Sequence, residues 1–251
     1  SKWIMIQLDS GKYDQNLSKT LFSKDVHHQM WTLQTVIPWP NPTYNAHFFG
    51  YGLGWFLSDV KGYKQVTHTG GLEGIVTQVT LIPELNLGIV VLTNQQSGAA
   101  FNAITNTIKD AYLKIEYKDY VKIFSEREKN NIAEADKVTT EVWAKIDENQ
   151  KNKVKVEAKN FTGTYTDNWF GNITISEKKG KMYFNSERSP QLAGEIFFYK
   201  DNTFAVKWFN RSFNADALIT FSENNTNIKM AAISELTDFS YDFQDLDFVK
   251  K

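Results

Sequence analysis

The chain has 251 residues, with 28 basic and 29 acidic side chains and no cysteine. The balanced charge argues against binding to nucleic acid or to an anionic membrane surface, and the lack of cysteine excludes disulfides, thiolate nucleophiles and cysteine-ligated metals. No apolar run approaches the roughly 20 residues that a membrane-spanning helix needs, and a hydrophobic content of 41% is ordinary for a globular protein.

The first 48 residues carry helix signals. An amphipathic stretch opens the chain at Ser1 and stops at Gly11, so we expect that upstream sequence has been removed. Ser23 is predicted to cap a short helix over Lys24–Trp31, because a hydroxyl at this position accepts a hydrogen bond from the first helical turn. The proline-rich stretch at residues 38–42 then interrupts regular structure.

Residues 51–93 are predicted to form an antiparallel meander, because their short connections cannot join parallel strands. The predicted strands are Tyr51–Leu57, Tyr63–Thr67, Ile75–Ile82 and Leu87–Thr93. The continuous apolar run at Gly88–Leu92 favours a strand covered on both faces. A helix follows, with a predicted buried stripe of Phe101, Ile104, Ile108, Ala111 and Ile115.

Residues 119–152 change character: they are rich in Lys and Glu and contain no Gly or Pro. We predict a charged helical connector there, between a first domain at residues 1–118 and a second at residues 153–251. Short alternating strands in the second segment predict a small barrel or sandwich. The predicted fold class is therefore α+β, an antiparallel sheet with packed helices followed by a small antiparallel barrel.

Few side chains offer site chemistry. No metal-binding motif, phosphate-binding loop or cofactor motif is present, so we predict no metal and no cofactor. His68 stands out, because Gly70 and Gly71 follow it and allow a ligand to approach the backbone closely. Spacing alone leaves two interpretations open, a site residue or an ordinary histidine at a strand end before a Gly-Gly turn.

The tripeptide His68-Thr69-Gly70 resembles the third motif of serine hydrolases of the β-lactamase and penicillin-binding protein type, usually Lys-Thr-Gly. The His-x-Gly form occurs in the DD-peptidase, D-aminopeptidase and esterase branches of that family. Three further segments are similar in the same order: Tyr51-Gly-Leu-Gly-Trp55, Leu81–Gly88 and Val91–Asn94. The resemblance covers roughly residues 1–118.

The resemblance implies a role for each matched residue. His68 would present a polar or cationic group to the acyl-enzyme site, and Thr69 would hydrogen-bond the substrate. The backbone N–H of Gly71, next to Gly70, would donate to the oxyanion. Asn94 is a further candidate at the substrate-binding margin. Tyr51 and Trp55 are interpreted as packing residues of the sheet.

The nucleophile motif S-x-x-K should open a helix upstream of these residues. Here it occurs only at Ser58–Lys61 and Ser176–Lys179, both in predicted turns, and the second motif, Tyr-x-Asn, occurs only at Tyr183–Asn185. We therefore expect a fragment of a hydrolase acting on D-amino-acid peptides, β-lactams or small esters, inactive alone because its nucleophile lies upstream of Ser1.

The second segment resembles the lipocalin-like barrel that some family members carry. The similarity lies in Phe161–Tyr165, Trp169–Gly171, Asp201–Trp208 and Asp238–Phe243. The alternative function is a non-catalytic binding or oligomerisation module built on this barrel, as a homo-oligomer or completed by the upstream half. A ligand-carrying barrel is a third interpretation. The resemblance favours a periplasmic or extracellular location. The balanced charge and the short apolar runs predict no nucleic-acid partner and no membrane span.

Overall fold

The computed structural model describes residues 2–39, 43–72, 74–238 and 240–251. Part of the predicted proline-rich break (40–42) and Phe239, within the predicted barrel segment, lie outside the described residues. The chain divides into two compact units, residues 1–128 and 129–251, with the division inside a long helix. The predicted domain bounds at 118 and 153 stay a prediction.

Four α-helices lie in the described ranges. They are α1 (Lys2–Leu8), α2 (Lys24–Met30), α3 (Gly98–Leu113) and α4 (Tyr120–Lys151). The predicted cap of α2 is confirmed, because Ser23 Oγ accepts a hydrogen bond from the backbone N–H of Val26 at 3.2 Å. None of the helices in the described ranges is both long and apolar enough to span a membrane.

A six-stranded antiparallel sheet forms the centre of the first unit, with its strands paired in chain order from β3 to β8. A separate two-stranded ladder, β1 with β2, precedes it. The strands of this unit are β1 (Lys12–Tyr13), β2 (Lys19–Thr20), β3 (Thr35–Val36), β4 (Phe49–Tyr51), β5 (Phe56–Val60), β6 (Tyr63–Leu72), β7 (Ile75–Ile82) and β8 (Leu87–Leu92).

The prediction of one continuous strand over Tyr51–Leu57 is wrong. The chain reverses between β4 and β5, where the N–H of Gly52 donates to the carbonyl of Trp55 at 2.8 Å and Gly54 has a φ of 81°. That φ is costly for residues with a Cβ, so glycine permits the reversal. The next predicted turn, Ser58–Gly62, is shorter than expected, because β5 continues to Val60.

The predicted strand Tyr63–Thr67 is too short, and the interpretation of His68 as a strand-end residue before a Gly-Gly turn is wrong. Strand β6 runs on through both glycines to Leu72, and Gly70 pairs with Thr77 and Gly71 with Val76 across β7. A Cβ on Gly70 would lie 2.7 Å from Thr77 Oγ1, so the missing side chain serves close cross-strand packing rather than a turn.

Two burial predictions need correction. Strand β8 is fully covered on one face only. On the other face Ile4 of α1 packs over Gly88, but Val90 and Leu92 are exposed, Leu92 by 74%. Helix α3 buries Phe101 as predicted, but Ile104 is 45% exposed, Ile108 is half-buried and Ala111 is exposed, while Ile115 follows the helix. The helix instead buries three polar side chains, Thr105, Lys109 and Asp110.

The second unit is a closed antiparallel barrel of eight strands, as the resemblance implied, so the predicted fold class α+β is confirmed. Its strands are β9 (Gly163–Asp167), β10 (Gly171–Lys178), β11 (Lys181–Ser186), β12 (Ala193–Lys200), β13 (Thr203–Trp208), β14 (Ala217–Phe221), β15 (Asn227–Ala232) and β16 (Asp247–Lys250). Closure pairs β16 with β9, so the sheet has no free edge there.

Large aromatic side chains fill the barrel interior, among them Tyr165, Phe204 and Trp208, each no more than 1% exposed. The half of α4 in this unit packs on the outside through Val142 and Ile146. The predicted connector is thus a helix with one buried face, although its Ile132 and Val138 remain about 40% exposed.

Candidate active site

The candidate site lies on one edge of β6, which we call the open edge. Strand β5 pairs with β6 from Val60, opposite Tyr63, to Phe56, opposite Thr67. Beyond Thr67 no strand of the described chain pairs with this side of β6, whereas β7 continues along its other side to Leu72. The third-motif residues His68–Gly71 therefore lie on the unpaired stretch.

Backbone geometry shows which groups point out from this edge. Residues facing each other in an antiparallel pair alternate between exchanging two hydrogen bonds and exchanging none. The carbonyl of Val76 accepts from the N–H of Thr93, at 3.1 Å, on the β8 side. Gly71, opposite Val76, therefore exchanges no hydrogen bond with it and directs its own N–H and C=O to the open edge. Two residues earlier, Thr69 has the same orientation.

The His68 ring lies along the open edge. Its Nδ1 is 2.6 Å from the carbonyl oxygen of Thr69, one of the outward-pointing groups. A carbonyl only accepts, so Nδ1 carries the proton. In the neutral ring Nε2 is then an acceptor, and Tyr51 Oη, 2.9 Å away, donates to it.

Aromatic rings on the neighbouring hairpin hold the imidazole. Phe56 stacks on it with a centroid separation of 5.5 Å and an interplanar angle of 25°, and Tyr51 packs edge-on at 5.8 Å. The interpretation of Trp55 as a packing residue is confirmed by its burial, but Tyr51 also contacts the candidate site. The sequence contained one usable signal for this contact: Tyr51 lies in the Tyr-Gly-Leu-Gly-Trp segment on the strand next to His68.

The remaining predicted residues separate into two groups. Thr69 and Gly70 are exposed beside His68, and the open edge brings them together with Gly71. Asn94 is exposed after β8, next to Thr93, with β7 between it and β6. Two strand spacings place it about 10 Å from Gly71, on the far side from the open edge.

Neither S-x-x-K sequence opens a helix. Ser58 is buried within β5, where its Oγ accepts from Gln65 Nε2, and Lys61 donates to the carbonyl of Leu113. Ser176 lies within β10, and the Tyr183–Asn185 sequence lies within β11. A serine inside a ladder does not have the helix-start geometry that the motif requires.

Residues 8–114 match the profile of the β-lactamase family. This segment belongs to the β-lactamase family. Residues 148–250 match a second profile, described as a domain of unknown function (DUF3471). The family assignment agrees with the resemblance seen in the sequence, since the matched segment includes the open edge and its third motif.

Two curated relatives match part of the chain. An unguisins hydrolase, ungD, of Aspergillus violaceofuscus (strain CBS 115571) is 31% identical over 75 residues, and its counterpart ungD' of Aspergillus campestris (strain IBT 28561) is 32% identical over 65. These alignments cover 30% and 26% of the chain and only 13% and 12% of the relatives.

Solved structures also resemble the chain at low sequence identity. The octameric penicillin-binding protein homologue from Pyrococcus abyssi has a TM-score of 0.39 and 14% identity, over 99% of this chain and 45% of that one. The crystal structure of SurE has a TM-score of 0.33 and 12% identity, over 99% and 47%. SurE with D-Leu has a TM-score of 0.31 and 13% identity, over 92% and 44%. The chain spans less than half the length of each.

Proposed function

We propose that this chain supplies the third-motif part of an acyl-transfer site in a β-lactamase-type serine hydrolase, one that acts on D-amino-acid peptides, β-lactams or small esters. The observation that supports the proposal is the N–H of Gly71, which points out from the open edge beside Thr69 and His68. A fixed N–H of this kind is the donor that an oxyanion needs, and such preorganised donors contribute several kcal/mol to acyl transfer. Both curated relatives are named as hydrolases.

The open edge also fits an extended acyl substrate. A peptide-like ligand that pairs with it would meet the N–H and C=O of Gly71 in register and the hydroxyl of Thr69 beside them. The carbonyl of Thr69 already accepts a hydrogen bond from His68. The imidazole ring would therefore lie beside a ligand that pairs with the open edge, not under it. We assign His68 the role of polar contact and Thr69 that of substrate hydrogen bonding.

We further propose that these 251 residues are not catalytic alone, because both S-x-x-K sequences are unsuited to nucleophilic attack. The test is incubation with a chromogenic β-lactam and a nitrophenyl ester, with His68→Ala as the matched variant. We expect no turnover by either protein. Turnover that His68→Ala abolishes would contradict the proposal of inactivity.

Binding at the open edge is tested separately from turnover. Titration with the dipeptide D-Ala-D-Ala should shift the backbone amide NMR signals of Thr69 and Gly71 in the isotope-labelled chain. Gly71→Pro removes the outward N–H but no β7 ladder bond, and proline is tolerated on an edge. This variant should lose the shifts at Thr69 and keep its fold. Equal shifts in both proteins, or none in the wild type, would contradict the assignment.

Assembly is a second candidate function, favoured by the other edge of the sheet. In the described chain β8 pairs only with β7, and its exposed face carries Val90 and Leu92. An uncharged apolar edge strand is a template for pairing with another chain. Light scattering at increasing concentration should show self-association that Leu92→Lys removes. A monomer at every concentration would contradict this candidate.

A further inference from the structure

A polar cavity of about 240 Å³ lies on the α3 side of the sheet in the first unit. Strands β5 to β7 contribute Ser58, Gln65 and Gln78 to its lining, and helix α3 contributes Asn102, Thr105 and Lys109. Side chains of this kind between a sheet and a helix are exceptional, because that layer is normally apolar. Neither the third motif nor the open edge uses any of them.

Lys109 lies in this cavity as a buried cation. It is only 5% exposed, and its Nζ donates to Gln65 Oε1 at 2.9 Å and lies 4.3 Å from the ring centroid of Tyr44. An ammonium has three donors, and Gln65 is its only hydrogen-bond acceptor in the part of the chain that the structure describes. Burial lowers the pKa of Lys109 to about 8, although the charge of Asp110 opposes this shift.

The neighbouring carboxylate does not form an ion pair with Lys109. Asp110 Oδ1 accepts from Tyr44 Oη and Oδ2 from Tyr120 Oη, both at 2.6 Å. Asp59, which is the acidic residue of the cavity lining, accepts from the backbone N–H and Nδ1 of His47. Within the described ranges, no carboxylate oxygen lies within 4 Å of Lys109 Nζ. Buried charges are normally paired, so the cavity is incomplete as it stands.

Two further polar atoms of the lining are buried without a partner in the described chain. They are Gln78 Oε1, which needs a donor, and Thr105 Oγ1, which can donate or accept. Gln78 is 9% exposed and Thr105 is 3% exposed. Thr105 is one helical turn from both Asn102 and Lys109, so the three side chains share one face of α3.

We propose that this cavity binds a small hydroxycarboxylate. The carboxylate would accept from Lys109 Nζ and Thr105 Oγ, and the hydroxyl would donate to Gln78 Oε1. A single small anion of this class would give Lys109 a counter-charge and would give both unpartnered atoms a hydrogen-bond partner. An amino acid supplies the same carboxylate, but its ammonium would add a second positive charge beside Lys109. The site goes beyond the proposed hydrolase function, because it lies on residues that the open edge does not include.

The test uses the full chain and four small probes: glycolate; acetate, which lacks the hydroxyl; glycerol, which lacks the carboxylate; and glycine, which carries an ammonium group in place of the hydroxyl. The pKa of Lys109 is followed by NMR of its Cε group, and binding by calorimetry. Bound glycolate stabilises the protonated amine, so the Lys109 pKa should rise from about 8 and binding at alkaline pH should take up protons. Acetate should bind less tightly than glycolate, and glycerol should not shift the pKa.

Variants separate the two contacts. Lys109→Met should weaken glycolate binding about tenfold or more, and Gln78→Leu should reduce it to the level of acetate. Lys118→Met, at an exposed lysine, is the matched control and should leave binding unchanged. The amide NMR spectrum shows whether each variant is folded. If Lys109→Met or Gln78→Leu does not fold, Thr105→Val is tested in its place, because it removes the other proposed donor to the carboxylate.

Three outcomes would overturn the proposal. If no probe changes the Lys109 titration, the cavity holds water only. If Lys109→Met binds glycolate as the wild type does, the anion lies elsewhere. If glycine binds more tightly than glycolate, the ligand is an amino acid and the hydroxycarboxylate assignment is wrong. The dipeptide titration of the open edge is independent of all three results.

Discussion

Replacing Lys109 by methionine should change how the stability of this protein depends on alkaline pH. The pKa of Lys109 is about 8 in the folded chain, because burial disfavours the charged amine, against an ordinary value of 10.5. Between these two values the unfolded chain binds more protons than the folded one, so the free energy of unfolding rises with pH. From about pH 7 to about pH 9.5 the gain from this one group is about 2 kcal/mol.

The assay is urea unfolding of the wild type, Lys109→Met and the exposed-lysine control Lys118→Met across that range. Methionine does not titrate, so the wild type should gain about 2 kcal/mol of unfolding free energy relative to Lys109→Met as pH rises across this range. The control should follow the wild type. Methionine also leaves Gln65 Oε1 unpaired, so the change with pH is diagnostic rather than the value at neutral pH.

Tyrosines set the upper limit of the window. Burial and the hydrogen bond to Asp110 raise the pKa of Tyr44 and of Tyr120, so their unfolded forms ionise first and stability falls above about pH 10. A wild-type stability that stays level or falls from neutral pH to about pH 9.5, with Lys109→Met parallel to it, would refute the account of a buried cation.

Three other substitutions test separate parts of the structure. Tyr51→Phe should cost about 1 kcal/mol by removing the donor to His68 Nε2, and ring contacts in NMR spectra should show the imidazole reoriented; an unchanged ring would contradict the assigned bond. Gly88→Ala should cost about 1–3 kcal/mol in thermal unfolding, because its Cβ would lie within contact distance of buried Ile4, and no change in Tm would mean that α1 moves freely. Burial alone would raise the pKa of Asp167, but three backbone N–H donors outweigh burial and lower the pKa. The stability of the barrel should therefore fall as pH drops below about 4, and Asp167→Asn should lose that dependence. Equal acid sensitivity in wild type and Asp167→Asn would refute this role of Asp167.

Local pattern was sufficient for much of the fold. The α2 cap at Ser23, the strand Ile75–Ile82 and the alternating strands of the barrel all follow from spacing within a few residues. The prediction failed at the glycines of residues 52–71. One glycine reverses the chain at Gly54, whereas Gly70 and Gly71 continue a strand, and only the partner strands distinguish these uses.

The buried face of α3 illustrates the same limit. An apolar stripe predicted burial for Ile104 and Ala111, but the helix turns Thr105, Lys109 and Asp110 inward. Polar residues enter a core when other elements supply their hydrogen bonds, as Gln65 does for Lys109. These partners are distant along the chain, so the helix sequence has no signal for them.

By itself, the sequence determined the fold class, the family of residues 8–114 and the set of residues around His68, because motif letters and apolar spacing are local properties. Only the tertiary structure decided which of those residues meet. Strand β5 begins only at Phe56, which leaves the edge of β6 beyond Thr67 unpaired. The β7–β8 ladder turns the N–H of Gly71 toward that edge. The same packing places Tyr51 on His68 and Asn94 beyond β7, since strand register, not distance along the chain, sets which backbone groups stay available.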